Sequence, residues 1–284
     1  MEHRTFAGYG GVELYYQRWR ADGPPKAVLP IVHGYGEHSG RYGNVVDWFV
    51  PRGYSVYAFD LRGHGRSPGR QGELRDFGEY REDVRAFLDL VHEAEPGRPV
   101  FLMGHSMGGL IVLNYVLHDP SGLDGVVASG PVLCAPGISS FLLWLCKVLA
   151  PVWPNLIMDS GLDATALSRD ASVGEAYVND PLVHGKGSPC MVNELMKAVD
   201  WTQAHAAELV LPSLIVHGSE DRLSDPQASR EFFDHVTFAD KERIEYEGYY
   251  HEVFNELGKE QVFADIEGWL ERHLQAVQEA VSAG

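Results

Sequence analysis

Residues 104–108 read Gly-His-Ser-Met-Gly, a G-x-S-x-G pattern centred on Ser106. The pattern also arises by chance, so its surroundings decide its meaning. An apolar stretch, Val100 to Met103, precedes it, and a helical pattern, Gly109 to His118, follows. There the chain leaves a strand, turns sharply and enters a helix, and the glycines let the turn close where side chains would collide. Such a turn lifts the serine hydroxyl clear of the strand end. A hydroxyl is a poor nucleophile on its own. It needs a base to take its proton and an acid to orient that base. In this strand–turn–helix setting the partners follow along the chain in the order serine, acid, histidine.

Two carboxylates compete for the acid. Asp221 lies in the loop just past an apolar strand, Leu214 to His217, and Asp225 follows where a helix N-cap belongs, ahead of Pro226. Glu220 is expected to point away from Asp221, and Asp221 is the preferred candidate. The loop after Val126 to Ser129 offers no carboxylate. Of the later histidines, His235 ends one helix and His273 lies on the last, so both read as surface residues. His251, in Gly-Tyr-Tyr-His-Glu, sits in a loop that can swing over Ser106. His33-Gly34-Tyr35-Gly36 ends another strand, and its glycines let backbone N–H groups converge on a small anion. This segment and the N–H of Met107 are expected to form an oxyanion hole.

Metal and nucleotide chemistry find no support. His33 to His38 is one residue off an inverted zinc motif, and His251-Glu252 would need a histidine where Asn255 stands. Arg62 to Ser67 is glycine-rich but does not make GxGxxG. No metal or cofactor is expected.

To position these residues the chain must supply strands alternating with helices. Strands are predicted over Val12 to Arg20, Ala27 to His33, Ser55 to Phe59, Val100 to Met103, Val126 to Ser129, Leu214 to His217 and Arg243 to Tyr246. Helices are predicted over Glu79 to Glu95, Gly109 to His118, Pro226 to His235 and Asn255 to Val277. The alternation implies an α/β fold, a mostly parallel sheet covered on both faces. It stops between about Cys134 and Ala207, a helix-leaning stretch rich in Trp, Leu and Met. The expected organisation is a core of residues 1–133 and 208–284 with a helical cap insert, 134–207, over the carboxyl edge of the sheet.

Composition narrows the classes further. The 284 residues are 45% hydrophobic and 22% charged, enough for a real core. The net charge of −17, from 23 basic and 40 acidic residues, argues against nucleic acid and against charge-driven binding to anionic membranes. Three cysteines, none in a CxxC, read as free thiols in a reducing compartment. The polar start, Met1 to Phe6, shows no signal peptide, and a cytoplasmic location is expected. The longest apolar run, Phe141 to Trp153, is broken by Lys147 and Pro151 and falls short of the ~20 residues a spanning helix needs.

Seven segments together closely resemble the monoacylglycerol lipases, serine hydrolases of the α/β-hydrolase fold. They are HGYGEHSGRY (33–42), FDLRGHGRS (59–67), GHSMGG (104–109), ALSRD (166–170), NDPLVHGK (179–186), HGSEDRL (217–223) and GYYHEVFNE (248–256). GHSMGG and RGHGRS are shared by many α/β-hydrolases; HGYGEH, ALSRD and NDPL are far more specific. The resemblance spans about Phe6 to Leu270. It implies Ser106, Asp221 and His251 as catalytic triad and the N–H groups of Tyr35 and Met107 as oxyanion donors. It places Glu37, Arg41 and Tyr177 near the glycerol end of a pocket. Two positions depart from the family pattern: Tyr35, small or aliphatic in many relatives, and Phe254, where a polar residue can stand.

The expected substrate is a monoacylglycerol, cleaved through an acyl-enzyme to fatty acid and glycerol. Phe141, Leu142, Leu143, Trp144, Leu145, Val148 and Leu149 are more than one helix face can bury. Leu143 and Leu145 are expected to line a channel for one acyl chain, and the outer face to touch lipid weakly. A second acyl chain would then meet Glu37 and Arg41, charges costly to leave unpaired. Two other readings stand beside this one: the same chemistry on lysophospholipids or other single-chain esters, and a ligand receptor without turnover. Oligomeric state is not legible.

Overall fold

The computed structural model of the protein describes residues 1–134, 140–154 and 156–283. In chain order the elements are β1 (Glu2–Ala7), β2 (Glu13–Trp19), β3 (Val28–Val32), α1 (Gly43–Phe49), β4 (Ser55–Phe59), α2 (Gly78–Ala94), β5 (Phe101–His105), α3 (Met107–His118) and β6 (Gly125–Ser129). There follow α4 (Ser140–Leu149), β7 (Met158–Asp159), α5 (Ala171–Asn179), β8 (Lys186–Gly187), α6 (Pro189–Ala204), β9 (Ser213–Gly218), α7 (Pro226–His235), β10 (Lys241–Tyr246) and α8 (Lys259–Ala283).

The main sheet has eight strands in the order β1-β2-β4-β3-β5-β6-β9-β10. β2 pairs antiparallel with β1 and with β4, and from β4 to β10 every pairing is parallel. Alternate side chains of each strand enter opposite apolar layers. Tyr57, Phe59, Leu102 and Ile215 meet α2 and α3 on one face, with Phe87, Leu110 and Ile111. Val56, Ala58, Phe101, Leu214 and Val216 meet α1 and α8 on the other, with Phe49, Phe263 and Trp269. The central strands are buried on both faces, which is why they read as unbroken apolar runs.

The sequence reading omits β1 and α1. β1 is a polar edge strand in which only Phe6 is buried, so it carries no hydrophobic period. α1 is seven residues led by a glycine, too short for a periodic signal. α3 begins at Met107, directly after Ser106, two residues earlier than its pattern suggests. α8 begins at Lys259, four residues later than expected. Gly258 turns the chain there at φ +91°.

Between β6 and β9 lie α4, α5, α6 and the two-stranded β7–β8 ladder. α6 packs into the core, where Met191, Ala198 and Val199 join the α2–α3 layer. α4 packs on α6 and buries Cys146, but leaves Phe141 69% and Trp144 57% exposed and Leu143 and Leu145 half-buried. The Leu142 side chain and residues 135–139 lie outside the description. Among the described residues no helix is long and apolar enough to cross a membrane. Cys134, Cys146 and Cys190 are free thiols.

Candidate active site

The carboxyl ends of β3, β5, β6 and β9 converge on Ser106. Its backbone sits at φ 56° and ψ −119°, and among the described residues it is the one non-glycine residue with positive φ. Strain of this kind persists only where surrounding bonds enforce it. Here the Ser106 N–H donates to Ser129 O at 2.8 Å, and Ser106 O accepts from Leu110 and Val132. The flanking glycines are required by space. A Cβ on Gly104 would lie 2.3 Å from Gly108 O, and one on Gly108 would lie 2.1 Å from Val32 O. The tight packing of β3, β5 and α3 therefore leaves Ser106 half-exposed between the buried His105 and Met107.

Asp221 and His251 meet beside it. Asp221 Oδ2 accepts from His251 Nδ1 at 2.7 Å, and Oδ1 accepts from the backbone N–H groups of Leu223 and Ser224 at 2.8 and 2.9 Å. Asp225 is placed elsewhere: its carboxylate accepts from Gln227 N and caps α7. With Nδ1 held by a carboxylate, His251 presents Nε2 as the free lone pair of a base. Among the described residues Nε2 and Ser106 Oγ make no hydrogen bond. Such bonds commonly tighten only when substrate arrives. Burial alone would depress the His251 imidazole. The charge and hydrogen bond of Asp221, helped by Glu252 and Glu37, outweigh it and hold the ring above the ordinary histidine value. Burial would raise Asp221, but His251 and His217 hold it well below the usual carboxylate range.

The loop from His33 to Tyr42 is braced from within. Gly34 N–H donates to Glu37 Oε1 at 2.7 Å, and Tyr42 OH donates to the same oxygen at 2.9 Å. Arg41 spans Glu37 and Glu252 with bonds of 2.7–2.9 Å, and its guanidinium lies 4.9 Å from the centre of the Tyr177 ring. Burial works against the Glu37 charge, but Arg41, His105, His33 and the Gly34 N–H bring its pKa down to about 2. Gly36, at φ +74°, has no room for a side chain: a Cβ would lie 2.3 Å from His184 O. Among the described residues the N–H groups of Tyr35 and Met107 are both without a partner. They flank the serine as open donors.

One expectation needs correcting. Glu37 and Arg41 are not lone charges waiting for a second acyl chain; Glu37 is buried, and the partly buried Arg41 pairs with both it and Glu252. The cavity that Glu37, Arg41, His105 and Glu252 help to line is about 10 Å³, the size of one water and too small for glycerol. Selectivity against a second chain cannot rest on stranding these charges. Leu143 and Leu145 lie on α4, while Tyr177, on α5, is buried with its ring on Arg41.

Sequence reasoning missed Glu252 and His217. In the sequence Glu252 reads only as part of a failed metal motif, although it adjoins His251. His217 ends the apolar strand β9 and gave no signal of its contacts.

Comparison with known proteins points the same way as this geometry. The family model described as serine aminopeptidase, S33, matches residues 23–258. The monoacylglycerol lipase of Mycolicibacterium smegmatis is 41% identical over 275 residues, 96% of this chain and 98% of that protein. The Homo sapiens monoglyceride lipase is 34% identical, over 92% of this chain and 87% of its own. The crystal structure of Paleococcus ferrophilus monoacylglycerol lipase superposes with a TM-score of 0.85 at 35% identity, covering 92% of this chain and 99% of the other.

Proposed function

The chain belongs to the monoacylglycerol lipase family of α/β-hydrolases, within serine aminopeptidase family S33, and from that premise we propose that it cleaves monoacylglycerols to fatty acid and glycerol. One observation carries the reading at the level of chemistry: a strained, half-exposed Ser106 beside an imidazole bonded to a buried carboxylate at 2.7 Å.

Ser106 Oγ attacks the ester carbonyl while His251 Nε2 takes its proton. Asp221 holds the imidazole in the right tautomer and stabilises the imidazolium. The tetrahedral oxyanion rests on the open N–H groups of Tyr35 and Met107. The imidazolium returns its proton to the leaving glycerol oxygen. Water, deprotonated by the same histidine, then hydrolyses the acyl-enzyme. The Glu37–Arg41–Glu252 network keeps the oxyanion loop rigid at the headgroup end, with Tyr177 packed on Arg41.

Residues 134–207 act as the cap. Leu143 and Leu145 line a channel for one acyl chain, and the exposed Phe141, Trp144 and Val148 touch the lipid surface that supplies it. Lys147 is the single basic residue on α4, so this contact is weak. The test is kcat/KM over monoacyl-, diacyl- and triacylglycerols and lysophosphatidylcholine. A preference for lysophosphatidylcholine over the monoacylglycerol would make glycerophosphocholine, rather than glycerol, the leaving alcohol in this reading.

A further inference from the structure

Asp221 holds more than one histidine. His217, the penultimate residue of β9, is completely buried, and its Nε2 lies 3.1 Å from Asp221 Oδ2 and 3.0 Å from Ser224 O. Both neighbours are acceptors, so Nε2 carries the hydrogen and is shared between them. Nδ1 lies 2.9 Å from Ser229 Oγ on α7, whose one hydroxyl hydrogen is also within reach of Pro226 O at 2.9 Å. Arg243 of β10 donates to the same Oγ from 3.3 Å and is paired with Glu245. The charged groups at His217 are thus Asp221 on one side and, through Ser229, Arg243 on the other.

The oxygen that His217 touches is the one that holds His251. Asp221 therefore receives four N–H donors, two backbone groups on Oδ1 and two imidazoles on Oδ2. We propose that His217 is a positioning residue for the acid–base pair, fixing the plane of the Asp221 carboxylate and drawing part of its charge away from His251. Two consequences follow. The Ser224 O bond ties the acid loop back to β9, so the carboxylate cannot swing away from the imidazole. The shared Oδ2 also limits how strongly Asp221 stabilises the imidazolium, which keeps the base neutral at lower pH than Asp221, Glu252 and Glu37 together would allow. His105, whose ring centre is 4.8 Å from that of His251, is the other titratable group facing the base.

The inference rests on the triad reading above, and the experiment separates the two. His217→Leu removes the N–H donor; His217→Gln keeps an amide N–H at nearly the same reach. Their kcat/KM on soluble p-nitrophenyl butyrate is measured against pH beside wild type and Asp221→Asn. His217→Leu should lose on the order of 10²-fold in kcat at little-changed KM, the scale of a misplaced catalytic group, and its acid limb should move to higher pH. His217→Gln should stay within about fivefold of wild type with its limb unmoved, since a rescued N–H restores the oriented carboxylate. A merely structural histidine would not shift the limb, and the amide would not rescue it. Wild-type rates and limb in His217→Leu, or equal impairment of the two variants, overturn the proposal. Full activity in Asp221→Asn overturns the triad reading instead. Should His217→Leu not fold, ¹⁵N-histidine spectra decide. The His217 and His251 N–H protons should both lie far downfield in wild type and both move in Asp221→Asn; movement of one alone excludes the shared oxygen.

Discussion

Asp221 and Asp225 show what four residues of separation decide. Asp221 takes the imidazole of His251, while the Asp225 carboxylate turns to the Gln227 N–H at the start of α7. Asp221→Asn should leave the fold intact and lower kcat by about 10⁴-fold through the wrong imidazole tautomer. Asp225→Ala should leave kcat alone and cost about 1 kcal/mol of stability, the usual worth of an N-cap. Urea midpoints and burst kinetics on the two variants check both, and the reverse ranking would move the acid to Asp225. The base adds a pH signature. Because Asp221 and its neighbours raise His251 above its ordinary value, the imidazole is neutral, and so able to take the serine proton, only at higher pH than a free histidine. The acid limb of kcat/KM should lie above ~6.5, the unperturbed histidine value, and a limb below it would contradict the Asp221–His251 pairing. These residues were legible because chain order and strand-end placement constrain them. The pairing of Glu37, Arg41 and Glu252 was not, since residues 37 and 252 meet only after the sheet is assembled.

At the scale of elements, the nucleophile turn exists because α3 and β3 touch at glycine. Gly108→Ala would drive a methyl to 2.1 Å from Val32 O, against backbone that cannot yield. It should cost more than the ~1–3 kcal/mol of ordinary overpacking and abolish turnover. Gly43→Ala, at φ −53° at the start of α1 with open space around it, should be neutral or stabilising by ~0.5 kcal/mol. Equal urea midpoints for the two variants would mean that the turn is looser than it is drawn here. The exposed apolar residues of α4 carry a second expectation. Replacing Phe141 and Trp144 together by Ser should slow hydrolysis of long-chain monoacylglycerol presented in vesicles while sparing p-nitrophenyl acetate in solution; equal effects on both would remove the lipid-contact role. The strands that flank the site were readable because burial on both faces makes them continuously apolar. β1 and α1 were not: the first is stabilised by pairing along β2 and the second by docking on α8 through Phe49 and Phe263, neither of which leaves a local pattern.

Over the whole molecule, buried histidines dominate the response to acid. Burial depresses His33, His64, His105 and His184, with His105 and His184 brought down to about 4. Each is neutral when folded, so its contribution to stability is whole above about 6.5, the unfolded value, and is lost as pH falls through its own folded value, about 4 for His105 and His184. His251, raised rather than lowered, runs the opposite way: its contribution is present below ~6.5 and fades as pH rises through its folded value. Because the lowered rings outnumber the raised one, the urea midpoint should fall between pH 6.5 and 4, before Glu37, held to about 2, is protonated. A flat midpoint over that range would mean these rings are solvated. The net charge of −17 argues against nucleic acid as a partner class but says nothing of neutral lipid, which leaves the substrate to the site. The central claim is that Ser106 hydrolyses a single-chain glycerol ester, and the most direct test is kcat/KM for monoacyl- against triacylglycerol of the same chain, with Ser106→Ala as the blank. One channel for one chain should favour the monoacyl ester by at least ~10²-fold, about 2.7 kcal/mol in the barrier, with no turnover above background in Ser106→Ala. Comparable values for the two esters, or activity surviving in Ser106→Ala, would contradict it.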